Sequence, residues 1–222
     1  KIRSSSHSAP LPKILSQSDV QKLFAVAHKD MSYMGLRTQA LLYVFYATGL
    51  RVSELIICPL HGVLEVLNTP QSPVLFIQGK GGKERWVPLP VFTHRPLQRY
   101  LSVRSRFVSV GNPYLFGMRT RHITRQRVGQ LLKKLGTAAD LPKENLSPHA
   151  LRHAFATHLL DEGADILSLK TLLGHKSLVS TQIYTHVSQQ KLQKNLKRYH
   201  PLSINQNTVK VRSLKKGEES IG

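Results

Sequence analysis

The sequence is poor in cysteine, in acidic residues and in long apolar runs, and each shortage excludes something. Cys58 is the sole cysteine among 222 residues. No internal disulfide can form, and a reducing, cytoplasmic setting is expected. No apolar stretch approaches the roughly 20 residues that a membrane helix needs, and the opening KIRSSSHSAP does not read as a secretory signal. Only 12 Asp and Glu stand against 32 Lys and Arg, a formal net charge of +20. An excess of that size repels itself unless a polyanion covers it, and nucleic acid is the first candidate. An anionic membrane surface fits less well, because the cations do not gather on one amphipathic helix. The imbalance is local too. Between Trp86 and Ala139 there is no acidic residue, against eight arginines and two lysines. A solvated basic face is one reading of that stretch. The other is a track along a phosphate backbone, with Arg119, Arg121, Arg125 and Arg127 as the contacts.

What is present is enough for a folded domain: 41% of the residues are hydrophobic. Residues 1–15 are rich in Ser and Pro and read as a linker. SQSDVQKLFAVAH couples a Ser/Asp cap to apolar residues at helical spacing, and LRTQALLYVFYATGL predicts a buried helix stopping near Gly49. CPLHGVLEVLNTPQSP reads as irregular. SPVLFIQ and ERWVPLP are β-rich runs joined by the glycine-rich GKGGK, a hairpin pattern. Leu97 to Phe107 and Arg125 to Leu135 read as helical. LSPHALRHAFATHLLDEG is the clearest helix, with Ser147 as N-cap, Pro148 at the first position and Gly163 past the end. Two short helices should follow, then a segment with Leu192 and Leu196 one turn apart, too small a stripe for a core of its own. The tail 201–222 is polar and basic. The expected fold is α+β, mainly helical, with one small antiparallel sheet, over residues 16–200.

Several residues invite a chemical reading. His149 and Arg152 share one face of a helix start, where free N–H groups and the dipole favour a phosphate. His149 and His153 have the spacing of a zinc helix, but Ala150 stands where a metalloprotease carries its Glu base. Arg51 and Glu54, three apart, allow a carboxylate to orient a guanidinium. Lys80 lies in a turn whose glycines permit close approach to a ligand. GKGGKER lacks the spacing of a P-loop. Taken singly, these residues, His175 after Gly174 and Tyr184 among small polar neighbours could all be surface or packing residues.

Taken in order, they are more than that. ATGLRVSEL, GKGGKER, SPHALRHAFATHLL, LLGHKS and TQIYTHV resemble the tyrosine recombinase (phage integrase) family, the last three boxes most closely its Xer branch. The resemblance covers roughly residues 16–200, and it matches the family's catalytic Arg, Lys, His/Lys, Arg, His/Trp and Tyr with Arg51, Lys80, His149, Arg152, His175 and Tyr184. Residues 1–15 are then the linker from an amino-terminal DNA-clamping domain. The segment from Ser188 onward matches the family's exchanged C-terminal segment.

The resemblance implies a site-specific recombinase acting on a double-stranded DNA recombination site, bacterial and nucleoid-associated. It would work in a homo- or hetero-tetrameric synapse, in dimer resolution, or alternatively in integration or inversion. Tyr184 is the expected nucleophile and Lys80 the expected acid. The bond energy would stay in the protein–DNA link, so no cofactor and no metal are expected. A DNA-binding module without catalysis and a strand swivel of the type IB topoisomerase kind are the competing readings.

Overall fold

A computed structural model of the chain describes residues 14–69, 74–79, 84–174 and 194–203. Eight helices and two ribbons occupy them in the order α1 (Gln17–Lys29), α2 (Tyr33–Thr48), α3 (Val52–Ile56), α4 (Leu60–Asn68), β1 (Val74–Gln78), β2 (Glu84–Pro88), α5 (His94–Leu101), β3 (Gly117–Met118), β4 (Arg121–His122), α6 (Arg125–Ala138), α7 (Pro148–Asp161) and α8 (Ile166–Leu173). Further helical residues occur at 194–199 and 201–203.

The centre is α2. Its sequence YMGLRTQALLYVFYAT is apolar nearly all round, so the helix is buried on every side rather than along a stripe. It packs against α1, α5 and α7, with Leu41, Leu42, Val44, Phe45 and Tyr46 at 1% exposure or less. Each such side chain contributes about 2 kcal/mol on leaving water. The helix ends at Gly49, whose φ of +58° is left-handed. A Cβ there would lie 2.3 Å from the Phe155 ring on α7. Helix α1 opens on the Ser16 cap, its hydroxyl accepting from the Asp19 N–H at 3.1 Å. Helix α7 opens the same way, Ser147 accepting from Ala150 at 3.0 Å, with Pro148 at its first position.

Strands β1 and β2 form the expected antiparallel hairpin, Gln78 opposite Glu84 and Phe76 opposite Trp86. Phe76 and Trp86 meet edge-to-face on its outer side, centroids 4.9 Å apart. Leu75, Ile77, Arg85 and Val87 point inward.

Three expectations are corrected. The stretch taken as irregular contains α4, which buries Val63 and Val66. The helix expected to run to Phe107 stops at Leu101 and gives way to a 3₁₀ turn at Arg104–Arg106. There Arg104 donates to the carbonyls of Asn112, Tyr114 and Leu115, so it serves as a loop staple rather than part of a basic track. Finally, Leu196 is 2% exposed and His200 fully buried in this chain's own core. The His200 ring packs against Tyr46, Phe92 and Phe155, and its Nε2 bonds the Tyr46 carbonyl at 3.1 Å. Leu196 itself lies beside Leu159, Ala164, Leu169 and Leu172, so α7 and α8 supply the core that the leucine stripe lacked by itself. Leu192 lies outside the described residues.

Cys58 is fully buried, its carbonyl accepting from the Leu115 N–H at 2.8 Å. Among the described residues no helix is long and apolar enough to cross a membrane.

Candidate active site

Three arginines and one glutamate converge where the ends of α2 and α8 meet α3, β2 and α7. Arg51 is the N-cap of α3, in extended conformation. A guanidinium has no acceptor and cannot cap a helix, so Glu54 does so. Its Oε2 accepts the Arg51 backbone N–H at 2.7 Å, and its Oε1 accepts Arg51 Nη1 at 3.0 Å. The expected Arg51–Glu54 pair is therefore present, with Glu54 3% and Arg51 38% exposed in their side chains.

The far nitrogen of Arg51, Nη2, donates to the carbonyl of Gly174 at 3.0 Å. Arg152 lies one turn into α7. Its Nη2 donates to the Leu173 carbonyl at 2.8 Å and its Nη1 to the Gly49 carbonyl. Two of these acceptors are the last carbonyls of α8, where the helix dipole concentrates negative charge. Residues remote in sequence are thus drawn to one point. Gly174, left-handed at φ +64°, turns the chain there.

Sequence reasoning missed Arg85. It donates from both terminal nitrogens to Glu54, Nη1 to Oε1 at 2.5 Å and Nη2 to Oε2 at 2.9 Å. Strand alternation carried the signal: Glu84 and Trp86 face out, so Arg85 faces in, and an inward charge needs a buried partner.

One carboxylate among three guanidinium groups leaves positive charge uncompensated. Burial opposes ionisation of Glu54, but the hydrogen bonds and charge of Arg85, with those of Arg51, overcome it and hold the carboxyl below its usual range. Arg152 is pulled down to about 10, first by burial and then by repulsion from Arg51, with Glu54 opposing and Arg85 adding to the repulsion. It stays charged at neutral pH, in a site an anion would relax.

His149 lies one turn before Arg152 and is exposed, as is His153. Among the described residues no three His, Cys, Asp or Glu side chains gather as a metal site would require. Lys80, His175 and Tyr184 lie outside the described residues. Lys80 belongs to the connection between β1 and β2, and His175 follows Gly174 directly.

Of the four arginines expected on DNA, Arg119 and Arg121 are exposed on the β3–β4 ribbon. Arg125 is exposed at the first turn of α6. Arg127 is half-buried, its Nη1 donating to Gln130 at 3.2 Å. Helix α6 packs on α3, the helix that Arg51 begins.

The model of the phage integrase family matches residues 13–191, and the chain belongs to this family, the tyrosine recombinases. It is similar to tyrosine recombinase XerD of Caulobacter vibrioides, 43% identical over 198 residues, which are 87% of this chain and 63% of that protein. Against tyrosine recombinase XerC of Erythrobacter litoralis it is also 43% identical, over 197 residues, 87% of this chain and 61% of the other. The chain thus spans somewhat less than two thirds of the length of these relatives. Among solved structures, the XerH recombinase in its post-cleavage complex with a palindromic difH substrate superposes with a TM-score of 0.65. It is 27% identical, over 87% of this chain and 55% of that one.

Proposed function

We propose that residues 16–200 are the catalytic domain of an Xer-like site-specific DNA recombinase. The residues before Leu15 are the linker to a DNA-clamping domain, and those after Ser203 are a basic tail, Leu15, Pro201 and Ser203 being buried with the domain. The observation that carries the reading is the pairing of Arg51 and Arg152 on the adjacent carbonyls of Leu173 and Gly174, one residue before His175. Each terminal nitrogen of a guanidinium carries two N–H groups, so after these bonds both arginines keep donors for a phosphate. Two planar forks on one scissile phosphate would neutralise charge building on its nonbridging oxygens.

In this reading the Tyr184 hydroxyl oxygen attacks the phosphorus as the bond to the 5′-oxygen breaks, leaving a 3′-phosphotyrosine. Lys80 gives the departing 5′-oxygen its proton, and His149 and His175 stabilise the phosphoryl group, His149 also serving proton transfer. Attack by the 5′-hydroxyl of a partner strand reverses the step and rejoins the DNA. Two duplexes in a homo- or hetero-tetrameric synapse supply that strand, and resolution of chromosome or plasmid dimers on the nucleoid is the favoured role. Arg119, Arg121, Arg125 and Arg127 track the backbone beside the site.

The test is a nicked duplex bearing a recombination site, which traps the covalent intermediate when the short cleaved piece diffuses away. A protein–DNA adduct that peptide mapping places on Tyr184 is expected. Adduct at another residue, or none on any duplex when the clamping domain is supplied, would replace this reading with a DNA-binding module. Relaxation without recombinant products would replace it with a strand swivel.

A further inference from the structure

Arg85 is an unusual residue to find at 8% side-chain exposure. Its strand register, opposite Ile77 on β1, would suit an aliphatic side chain. A buried guanidinium is costly unless paired and hydrogen-bonded, and its Nε–H finds no acceptor among the described residues. The forked pair with Glu54 is what compensates it. The same carboxylate holds Arg51 through both the side chain and the backbone N–H. Arg85 also lies against Gly174, where an added Cβ would be 3.2 Å from its Cδ and Nη1. The Gly174 carbonyl is the other anchor of Arg51. One side chain therefore touches both groups that fix Arg51.

We infer that Arg85 is a positioning residue, which clamps both oxygens of Glu54 and so sets the direction and the free donors of the Arg51 guanidinium. The reason is competition for one buried carboxylate. With Arg85 in place, Glu54 takes a single side-chain bond from Arg51, and each terminal nitrogen of that fork keeps one N–H beyond its bonds to Glu54 and Gly174. Without Arg85, a buried carboxylate would be left with one cation, and Arg51 would be drawn inward to satisfy it, away from its ligand. Because β2 continues from the connection that contains Lys80, the clamp also ties that hairpin to α3.

The inference rests on Arg51 being a phosphate ligand, and the experiment keeps the two claims apart. In the 222-residue chain, Arg85→Met keeps length and removes the fork. On the nicked duplex its adduct should form about 100-fold more slowly, the cost of a small misplacement of a catalytic group. Equilibrium DNA affinity should stay within about threefold, since only one phosphate contact is reoriented while the contacts along the rest of the backbone are kept. Added to Arg51→Ala, it should slow the reaction less than about threefold further, because its effect passes through Arg51. The defect should persist on a 5′-bridging phosphorothiolate, which needs little protonation.

Additive losses in the double variant would overturn the inference, and so would recovery on the phosphorothiolate, which would place the effect on Lys80. If Arg85→Met does not fold, Arg85→Lys carries the same test: it keeps the charge and loses the fork. Parent-like cleavage by any folded Arg85 variant overturns the inference. A readout without cleavage is guanidinium ¹⁵N NMR. The Arg51 guanidinium signals should shift in the variant as its fork turns onto Glu54, and an unchanged Arg51 signal would refute the clamp. Should the parent form no adduct even with the clamping domain supplied, the recombinase reading falls, while the NMR still decides what Arg85 does.

Discussion

Arg51 and Arg152 donate to consecutive carbonyls, Gly174 at 3.0 Å and Leu173 at 2.8 Å, although they lie about a hundred residues apart in the chain. The end of α8 is thus the common reference for both, and displacing either should disturb the other.

Arg152→Lys tests that geometry. A lysine is a point charge and cannot bridge the Gly49 and Leu173 carbonyls as the fork does. Adduct formation should fall about 100-fold or more, as when one preorganised donor to a developing oxyanion is lost. DNA affinity, measured by anisotropy, should move only a few-fold. Comparable losses in affinity and cleavage would show that Arg152 serves binding alone.

Tyr184→Phe should remove the adduct and leave affinity within a few-fold, because the ring is kept and no phosphate-contacting cation is lost. Lys80→Ala should behave differently, cleaving slowly on ordinary DNA and regaining speed on the 5′-phosphorothiolate.

Binding of the chain to duplex DNA should weaken steeply as salt rises, by counterion release. Replacing exposed Arg121 and Arg125 together by alanine should lower the slope of log K against log salt by about two. An unchanged slope would remove β4 and the start of α6 from the DNA track.

Gly49→Ala should destabilise the fold. A left-handed φ of +58° costs an L-residue about 1–2 kcal/mol. The new methyl would also meet the Phe155 ring at 2.3 Å, adding about 1–3 kcal/mol of overpacking. Chemical denaturation of the two proteins measures the sum, and a loss below about 1 kcal/mol would contradict the close approach of α2 to α7.

Stability should also fall in mild acid. Burial pulls His200 down to about 4, against the Tyr46 carbonyl bond that works to raise it. Burial lowers His158 as well; its Nδ1 bonds the Tyr46 hydroxyl at 2.8 Å. A histidine kept neutral in the fold binds its proton more readily when unfolded. Its contribution is complete above the unfolded pKa near 6.5 and is lost as pH drops from there towards 4, up to about 3 kcal/mol for His200. Urea midpoints at pH 7 and pH 5 measure this, and His200→Gln should flatten the difference.

Local signals made much of this fold legible. Ser147, Pro148 and Gly163 bracketed α7, Gly49 closed α2, and GKGGK joined the hairpin. Helix α4 escaped because Pro59 caps it without a side-chain hydrogen bond and Gly62, a poor helix former, lies in its first turn. The β3–β4 ribbon escaped because two-residue strands have no periodicity, and its turn rests on Arg119 at φ +52°. At the site, Arg51, Glu54 and Arg152 were legible because their partners fall at short, recognisable spacings or in family boxes. Arg85 and Arg104 were not: Arg85 closes the GKGGKER box but matches none of the family's catalytic residues, and Arg104 lies outside the boxes, so neither stood out until its acceptors were known. For Arg85 the acceptor is 31 positions back. The C-terminal stripe misled for the same reason: its Leu196 was visible, but Tyr46, Phe92 and Phe155, which receive His200, come from other parts of the chain.

The burial of Cys58 has a practical side. Its thiol, fully enclosed and pushed up to about 12 by desolvation, holds almost no thiolate at neutral pH and is closed to reagents. A second cysteine placed at exposed Leu167 or Lys197 would therefore take a maleimide dye alone, with the native residue left untouched. Fluorescence transfer between labelled copies could then report protomers meeting on DNA in real time.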